Sequence, residues 1–239
     1  MQPIKTALLS YGMSGKIFHA PFIALHPGFE LAGAWERSKQ LIAMQYPGVQ
    51  SYPTLEALLA DDTVKLVVVN TPTGTHFDYA KQALLAGKDI VVEKAFTTTV
   101  AEAIELKEIA IKQNKKISVY QNRRWDSDFK TVKKIIEEGW LGEIIDAEIR
   151  FERYKPALNS VKLHKETQSG GSGLLKDLGP HIIDSALCLF GFPQSLFADI
   201  RVTREGSVVD DWFEINLYYP KLNVRLKGSL FARECLPGF

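Results

Sequence analysis

Short apolar runs punctuate the first half of the chain, separated by stretches in which apolar residues recur every three or four positions. The runs are ALLS, FELAGAW, KLVVVN, DIVVEK and KISVY, and their length and β-branched content predict strands. TLEALLA, HFDYAKQALLAG and VAEAIELKEIAIKQN, which lie between them, predict helices. In the last helix Val100, Ile104, Lys107 and Ile111 fall along one face, with Ala103 and Ala110 beside the stripe, the pattern expected of a helix covering a sheet. Near-continuous apolar strands alternating with helices indicate a parallel sheet covered on both faces. In such sheets ligands bind beyond the carboxyl ends of the strands. After Asn122 the pattern changes. SDFKTVKKIIEEG predicts an amphipathic helix and EIIDAEIRFERY a strand with one wet face. A helix follows near PHIIDSALCLFG, and three alternating segments, SLFADIRVT, DWFEINLYY and NVRLKGSLFA, predict an antiparallel sheet with a turn at YPKLN. The fold class is therefore α/β: a doubly wound parallel sheet over residues 1–121, then an α+β domain with an open, mostly antiparallel sheet over residues 122–239.

Composition narrows the partners. The 239 residues are 46% apolar and suit two modest domains. Twenty-nine basic residues stand against 28 acidic ones, so no bulk field attracts nucleic acid or an anionic membrane. No apolar run has the length of a membrane span, and the first residues lack the basic-then-apolar pattern of a secretory signal; a cytoplasmic location is expected. Cys188 and Cys235 are the only cysteines. Neither has metal-ligand spacing, so no metal is expected, and Cys188 in SALCLF reads as a small buried hydrophobe. The chain stops at ARECLPGF, directly after a strand-like segment. Either another chain pairs on that edge or the sheet is incomplete.

The candidate chemistry lies at the strand ends. The first strand runs into SYGMSG, residues 10–15, where a dinucleotide-binding protein carries G-x-G-x-x-G. Gly12 and Gly15 occupy the second and third glycine roles, close backbone approach to a pyrophosphate and helix–strand packing, while Ser10 stands in the first. Tyr11, Gly12, Met13, Ser14 and Gly15 thus form either a phosphate cradle or a tight turn. AWERSK supplies Glu36 for ribose hydroxyls of NAD, and Arg37 to stack on adenine or pair with the 2′-phosphate of NADP, or else a solvated charged turn; the lean is to NAD. Thr71, Pro72 and Thr73 form a polar loop where a cofactor ribose passes, and His76 opens the next helix, as a cap, a packed ring or a ligand contact. Glu93 and Lys94 end the following strand; a lysine facing a pocket can donate to a substrate oxygen, while a lone lysine taken by itself reads as a surface cation. In GGSGLLKDLGPHIID, Asp177 precedes His181 by four residues and Pro180 suits a first helical turn. His181 is therefore expected near a helix N-terminus, with the dipole keeping its ring neutral and able to accept a proton. The alternative for that pair is a capping aspartate and a packed histidine.

YGMSGKIFHAPFI, TPTGTHFDYAKQALLAGKDIVVEK, YQNRRWDSDF and DLGPHIIDSALCLFG together resemble the Gfo/Idh/MocA family of NAD(P)-dependent oxidoreductases, and most closely its scyllo-inositol dehydrogenase-like subgroup. The resemblance implies a Rossmann domain followed by an α/β domain whose open sheet often serves in oligomerisation, so a homo-oligomer is expected. It implies that Lys94, Asp177 and His181 form the catalytic group, and that Asn122, Arg124, Trp125 and Asp126 approach the pocket, Asn122 on the cofactor and Arg124 and Trp125 on the substrate. It also implies that Tyr154 lines the substrate site. This chain departs from the family pattern at Ser10, at Ala95 in place of the proline after the lysine, at His164 and at Lys176, and it stops before the family's last strands and terminal helix, an apparent truncation of the second domain.

The reading is hydride transfer between a nicotinamide cofactor, NAD or NADP, and the hydroxyl or ketone of a sugar or inositol-like polyol. His181 serves as base, Lys94 holds the developing alkoxide, and Asp177 fixes the histidine or the substrate. Two rivals share the fold: a non-catalytic dinucleotide-binding regulator, and an NAD-dependent glycoside hydrolase working by transient oxidation.

Overall fold

The computed structural model describes residues 2–36, 40–158, 166–167 and 171–239. The chain divides into two compact units, Met1–Tyr120 and Gln121–Phe239.

The first unit is built on six strands: β1 (Ile4–Leu8), β2 (Phe29–Trp35), β3 (Gln50–Tyr52), β4 (Leu66–Val69), β5 (Asp89–Glu93) and β6 (Ile117–Tyr120). They lie in the order β3-β2-β1-β4-β5-β6, and every pairing is parallel. The strand order reverses between β1 and β4, the topological position at which open α/β sheets bind ligands. Strand periodicity explains the apolar runs. Ala7, Val67, Val69, Ile90 and Val92 face one core, which α3 (Leu55–Leu59), α4 (His76–Leu85) and α5 (Val100–Lys112) cover. Leu8 and Val68 face the other core, with Ala20 of α1 (Ala20–Leu25) and Ile42 of α2 (Leu41–Gln45). Both faces are dry, so neither residue parity is polar.

α5 begins at a capping box in which Thr99 and Glu102 satisfy each other's backbone N–H groups. Its buried face corrects the sequence expectation. Leu106 and Ala110 are in the core, while Val100 (77% exposed), Ile104 and Ile111 (70% exposed) face outward. The helix carries two apolar stripes of the same period, and packing against α4 selects the one containing Leu106.

In the second unit, α6 (Ser127–Glu137) and β7 (Asp146–Glu152) precede α7 (Leu174–Phe190), followed by β8 (Ser195–Arg201), β9 (Trp212–Tyr218) and β10 (Asn223–Ser229). The sheet order is β7-β10-β9-β8. β10 runs parallel to β7 and antiparallel to β9, and β8 is antiparallel to β9. α7 lays Leu174, Leu178, Ile182 and Ala186 on Ile149, Phe213, Ile215, Leu217, Val224 and Leu226. The opposite sheet face carries Glu148, Arg150, Glu152, Glu214, Arg225 and Lys227, linked by ion pairs, with Lys227 on Glu152.

α7 also corrects an expectation. Pro180 lies inside the helix, whose N-cap is Gly173 at φ 95°. The Asp210 backbone oxygen accepts from Leu174 N at 2.8 Å, and its carboxylate accepts from Leu175 N at 2.6 Å. A residue 35 positions downstream therefore caps the helix and lets it start well ahead of the proline. His181 sits about two turns in, beyond the reach of the dipole, which fades within the first turn. Asp177 alone occupies that turn.

Candidate functional site

Ser10 follows β1 and supports the glycine loop in two ways. Its hydroxyl accepts from Gly12 N at 3.2 Å, and its carbonyl accepts from Asn70 Nδ2 at 2.8 Å. The loop enters a π-helical turn, Gly15–His19, that continues into α1; such turns recur at functional positions. A Cβ on Gly15 would stand 2.5 Å from the Ser10 oxygen, so only glycine lets the helix sit this close to the strand, the role expected of the third glycine.

Glu93 at the end of β5 ties the loop down. Its Oε1 accepts from Ser14 Oγ at 2.6 Å and lies 2.8 Å from His19 Nε2. His19 is buried, with its ring 4.4 Å from that of Tyr120. Burial pushes the Glu93 carboxyl upward, but the His19 and Ser14 hydrogen bonds outweigh it and hold the group below the ordinary carboxylate range. Lys94 follows directly, and the Lys94–Ala95 peptide is cis.

Glu36 lies at the end of β2, but its carboxylate caps α2, accepting from Leu41 N at 3.2 Å and Ile42 N at 3.0 Å. This helix-end use of the carboxylate removes the argument that Glu36 favours NAD. Arg37 falls outside the described residues, as does His164. The Tyr11 hydroxyl donates to Gln45 Oε1 of α2 at 2.6 Å, while Gly12 and Met13 are exposed. In the next loop, Thr75 Oγ1 donates to Pro72 O at 2.7 Å and lies 2.8 Å from Thr71 Oγ1, and Thr73 opens a 3-10 turn. His76 is 1% exposed. Both its ring nitrogens lie against backbone carbonyls, Nδ1 at 2.8 Å from Ala95 O and Nε2 at 2.8 Å from Thr71 O. The ring is the packed alternative and not a ligand contact, because no ring nitrogen is left for one.

These strand ends fit the phosphates and sugar of a dinucleotide. The Gly12–Gly15 backbone is side-chain-free at two positions, and Asn70 Oδ1 is buried without a hydrogen-bond partner among the described residues. An orphaned buried oxygen of this kind is satisfied by a ligand donor or water.

In the second unit Asp177 and His181 share α7 at i, i+4, which places them on one face. His181 is 9% exposed, with its ring 6.1 Å from that of Phe151. The Arg123 and Arg153 guanidinium groups lie 4.6 and 5.1 Å from the centre of that Phe151 ring. Asn122 opens a 3-10 turn, Asn122–Trp125. Arg124 is pinned to Asp184 of α7 by bonds of 2.7 and 2.6 Å, which raise its pKa. Trp125 is 75% exposed. Tyr154 forms an isolated bridge with Phe231 and carries the Arg233 guanidinium 5.6 Å from its ring centre. Asp126 pairs with Arg123. Sequence reasoning missed His19 and Asn70, although both lie in or beside segments it singled out. It also missed Asp210 and the buried cluster in which Arg204 pairs with Glu166 at 2.8 Å and Asp211 at 3.1 Å. Among the described residues no group of three His, Cys, Asp or Glu could hold a metal, and no helix is long and apolar enough to cross a membrane.

Comparison with known proteins follows the same division. Residues 4–121 match the model of an oxidoreductase family with an NAD-binding Rossmann fold, and residues 129–235 match the GFO/IDH/MocA C-terminal domain. The chain is 40% identical over 229 residues to the uncharacterized oxidoreductase YdgJ of Escherichia coli (strain K12), covering 96% of this chain and 66% of that one. It is 36% identical to the scyllo-inositol 2-dehydrogenase (NADP(+)) IolW of Bacillus subtilis (strain 168), covering 95% and 63%. A crystal structure of an oxidoreductase from Bacillus cereus superposes with a TM-score of 0.88 at 32% identity, covering 98% and 67%. The chain thus spans about two thirds of the length of these relatives.

Proposed function

Because the chain belongs to the GFO/IDH/MocA oxidoreductase family, we propose that it is an NAD(P)-dependent dehydrogenase acting on a CH–OH group of a sugar or inositol-like polyol. One observation carries the reading: the glycine loop is hydrogen-bonded through Ser14 to Glu93, the residue beside Lys94. That bond links the phosphate-cradle candidate to the strand end bearing the candidate catalytic cation. The substrate class rests on the resemblance to the scyllo-inositol dehydrogenase-like subgroup and on the printed activity of the Bacillus subtilis relative.

The dinucleotide, when bound, supplies the acceptor for hydride leaving the substrate carbon. Lys94 holds the oxygen on that carbon as it gains negative charge. His181 takes the hydroxyl proton, and Asp177, one turn earlier on α7, orients the ring or a substrate hydroxyl. Tyr11, Gly12, Met13, Ser14, Gly15, Thr71, Pro72, Thr73, Glu93 and Asn122 are assigned to the cofactor, and Arg124, Trp125 and Tyr154 to the substrate. Glu36 caps α2, and His76 lies between the Thr71 and Ala95 carbonyls beside this set. Both NAD and NADP are kept as cofactors, since Glu36 caps α2 and the relative with a stated activity is named for NADP(+). The charged, uncovered sheet face of the second unit is assigned to a second copy of the chain.

The test is turnover against a panel of polyols with each cofactor. His181→Ala should lower kcat by about 10²–10⁴, the usual worth of a general base, with dinucleotide affinity unchanged. An unaltered kcat removes His181 from the reaction. Dinucleotide binding with no turnover of any polyol identifies a regulator instead.

A further inference from the structure

Eight arginines lie in the second unit, and six of them, Arg123, Arg124, Arg150, Arg201, Arg204 and Arg225, are ion-paired with carboxylates. Among the described residues Arg153 and Arg233 have no carboxylate at ion-pair distance. Arg233 is exposed on the Tyr154 ring, while Arg153 is half-buried on the Phe151 ring, next to His181. We infer that Arg153 is a substrate-specificity residue whose guanidinium takes an anionic group, a carboxylate or a phosphate, so that the preferred substrate is an acidic sugar or polyol.

Arg153 is placed by the strand before it. Ile149 and Phe151 of β7 pack on the α7 side of the sheet, and Arg153 follows at the same two-residue interval. Both its backbone polar groups are held: its N–H donates to Ser229 O at 2.8 Å, and its carbonyl accepts from Ala232 N at 3.2 Å. The guanidinium lies 5.1 Å from the centre of the Phe151 ring, which is itself 6.1 Å from that of His181. Anchorage on an aromatic ring fixes the cation without spending its N–H donors.

Arg123 shows the contrast. Its guanidinium lies 4.6 Å from the centre of the same ring, but Asp126 takes it at 2.9 Å, and the neighbouring Arg124 is taken by Asp184. The proposed reaction already sets one carboxylate, Asp177, one turn from His181 on α7. A second anion entering there is repelled unless a cation receives it. Arg153 is the guanidinium beside His181 whose charge no carboxylate of the described residues neutralises. Its planar fork matches a carboxylate or a phosphate through paired hydrogen bonds, and partial burial strengthens the attraction by excluding water. The location of this site rests on the proposed roles of Asp177 and His181; the preference for an anion is measurable by binding alone.

The test compares matched neutral and acidic substrates on the whole chain with NAD⁺ or NADP⁺: glucose against glucuronate, and myo-inositol against inositol monophosphate. The acid should show a kcat/KM about tenfold or more above its neutral partner, the worth of one charge-assisted hydrogen bond, carried by KM. Preference for the uronate alone, or for the phosphate alone, supports the proposal and identifies the anion. Arg153→Met should erase the preference by raising the KM of the acid more than it lowers kcat. Arg153→Lys should restore part of it, since the charge remains without the fork. Arg201→Met, which removes an ion-paired cation of β8, should keep the preference and so separates a local contact from net charge. The wild-type comparison stands even where a variant does not fold. Equal kcat/KM for acid and neutral partner, or a preference that survives Arg153→Met, overturns the proposal and leaves the dehydrogenase reading intact. If no compound is turned over, that reading fails, and calorimetry with the same pairs decides the anion site. Tighter binding of the acid that is lost in Arg153→Met upholds it, and equal or absent binding overturns it.

Discussion

A Cβ on Gly15 would approach the Ser10 carbonyl oxygen to 2.5 Å and the Asn70 amide nitrogen to 3.1 Å, whereas one on Gly12 would meet only Ser10 Oγ at 3.4 Å. Backbone on both sides of the Gly15 contact prevents an easy adjustment. Gly15→Ala should therefore cost about 1–3 kcal/mol, as overpacking does, and weaken dinucleotide binding, while Gly12→Ala should fold like the wild type; thermal melts and titration calorimetry distinguish the two. Glu93 makes a second prediction. Its carboxyl sits below the ordinary range because the His19 and Ser14 bonds outweigh burial. Its contribution is thus present above the unfolded carboxylate range and lost as pH falls through the lowered folded value. Glu93→Gln should be less stable than wild type by about 1 kcal/mol at neutral pH, the margin by which a charged hydrogen bond exceeds a neutral one, and the two chains should converge in acid. Denaturant melts across pH check this, and a gap that widens in acid contradicts it. At this scale the sequence exposes residue types and spacing but not long-range partners. The glycines and Glu93 were legible from their places at strand ends. The roles of His19 and Asn70 depend on partners 74 and 60 positions away, and nothing local announces them.

Among the elements, β1, β2, β4, β5 and β6 were the easiest to read, since burial on both faces makes them largely apolar runs; β3, with Gln50 and Ser51 in its three residues, was not read. The longer helices α4 and α5 were equally legible, while the five-residue α2 was not read; helix orientation was not legible. α5 has one apolar stripe through Leu106 and Ala110 and another through Val100, Ile104 and Ile111, and a period of 3.6 fits both. The structure buries the first. Leu106→Ala should therefore cost about 2–5 kcal/mol, while Ile104→Gln should stay within about 0.5 kcal/mol; equal losses in urea melts would restore the original assignment. α7 shows a different limit. Its start is fixed by Asp210, which burial pushes above the ordinary carboxylate range against the opposing Leu175 and Leu174 N–H bonds. A proline is a local start signal, and a cap supplied from a distant loop overrides it.

For the whole molecule, two units carry complementary parts of one proposed reaction: a glycine loop, Glu93 and Lys94 on the first, and Asp177 and His181 on the second. The order of strands and the change of texture after β6 made the architecture readable, because a parallel sheet and a half-wet antiparallel one impose different periods on the chain. Substrate identity has no such periodic imprint and rests on a few side chains. The central claim is that these side chains oxidise a polyol at the expense of a nicotinamide dinucleotide. Its most direct test is the purified chain incubated with inositols and NAD⁺ or NADP⁺, following reduced cofactor by absorbance and the ketone by mass spectrometry. The account predicts equal amounts of reduced cofactor and ketone, with both abolished by Lys94→Met. Failure to bind either dinucleotide, or binding with no ketone from any polyol, would contradict it.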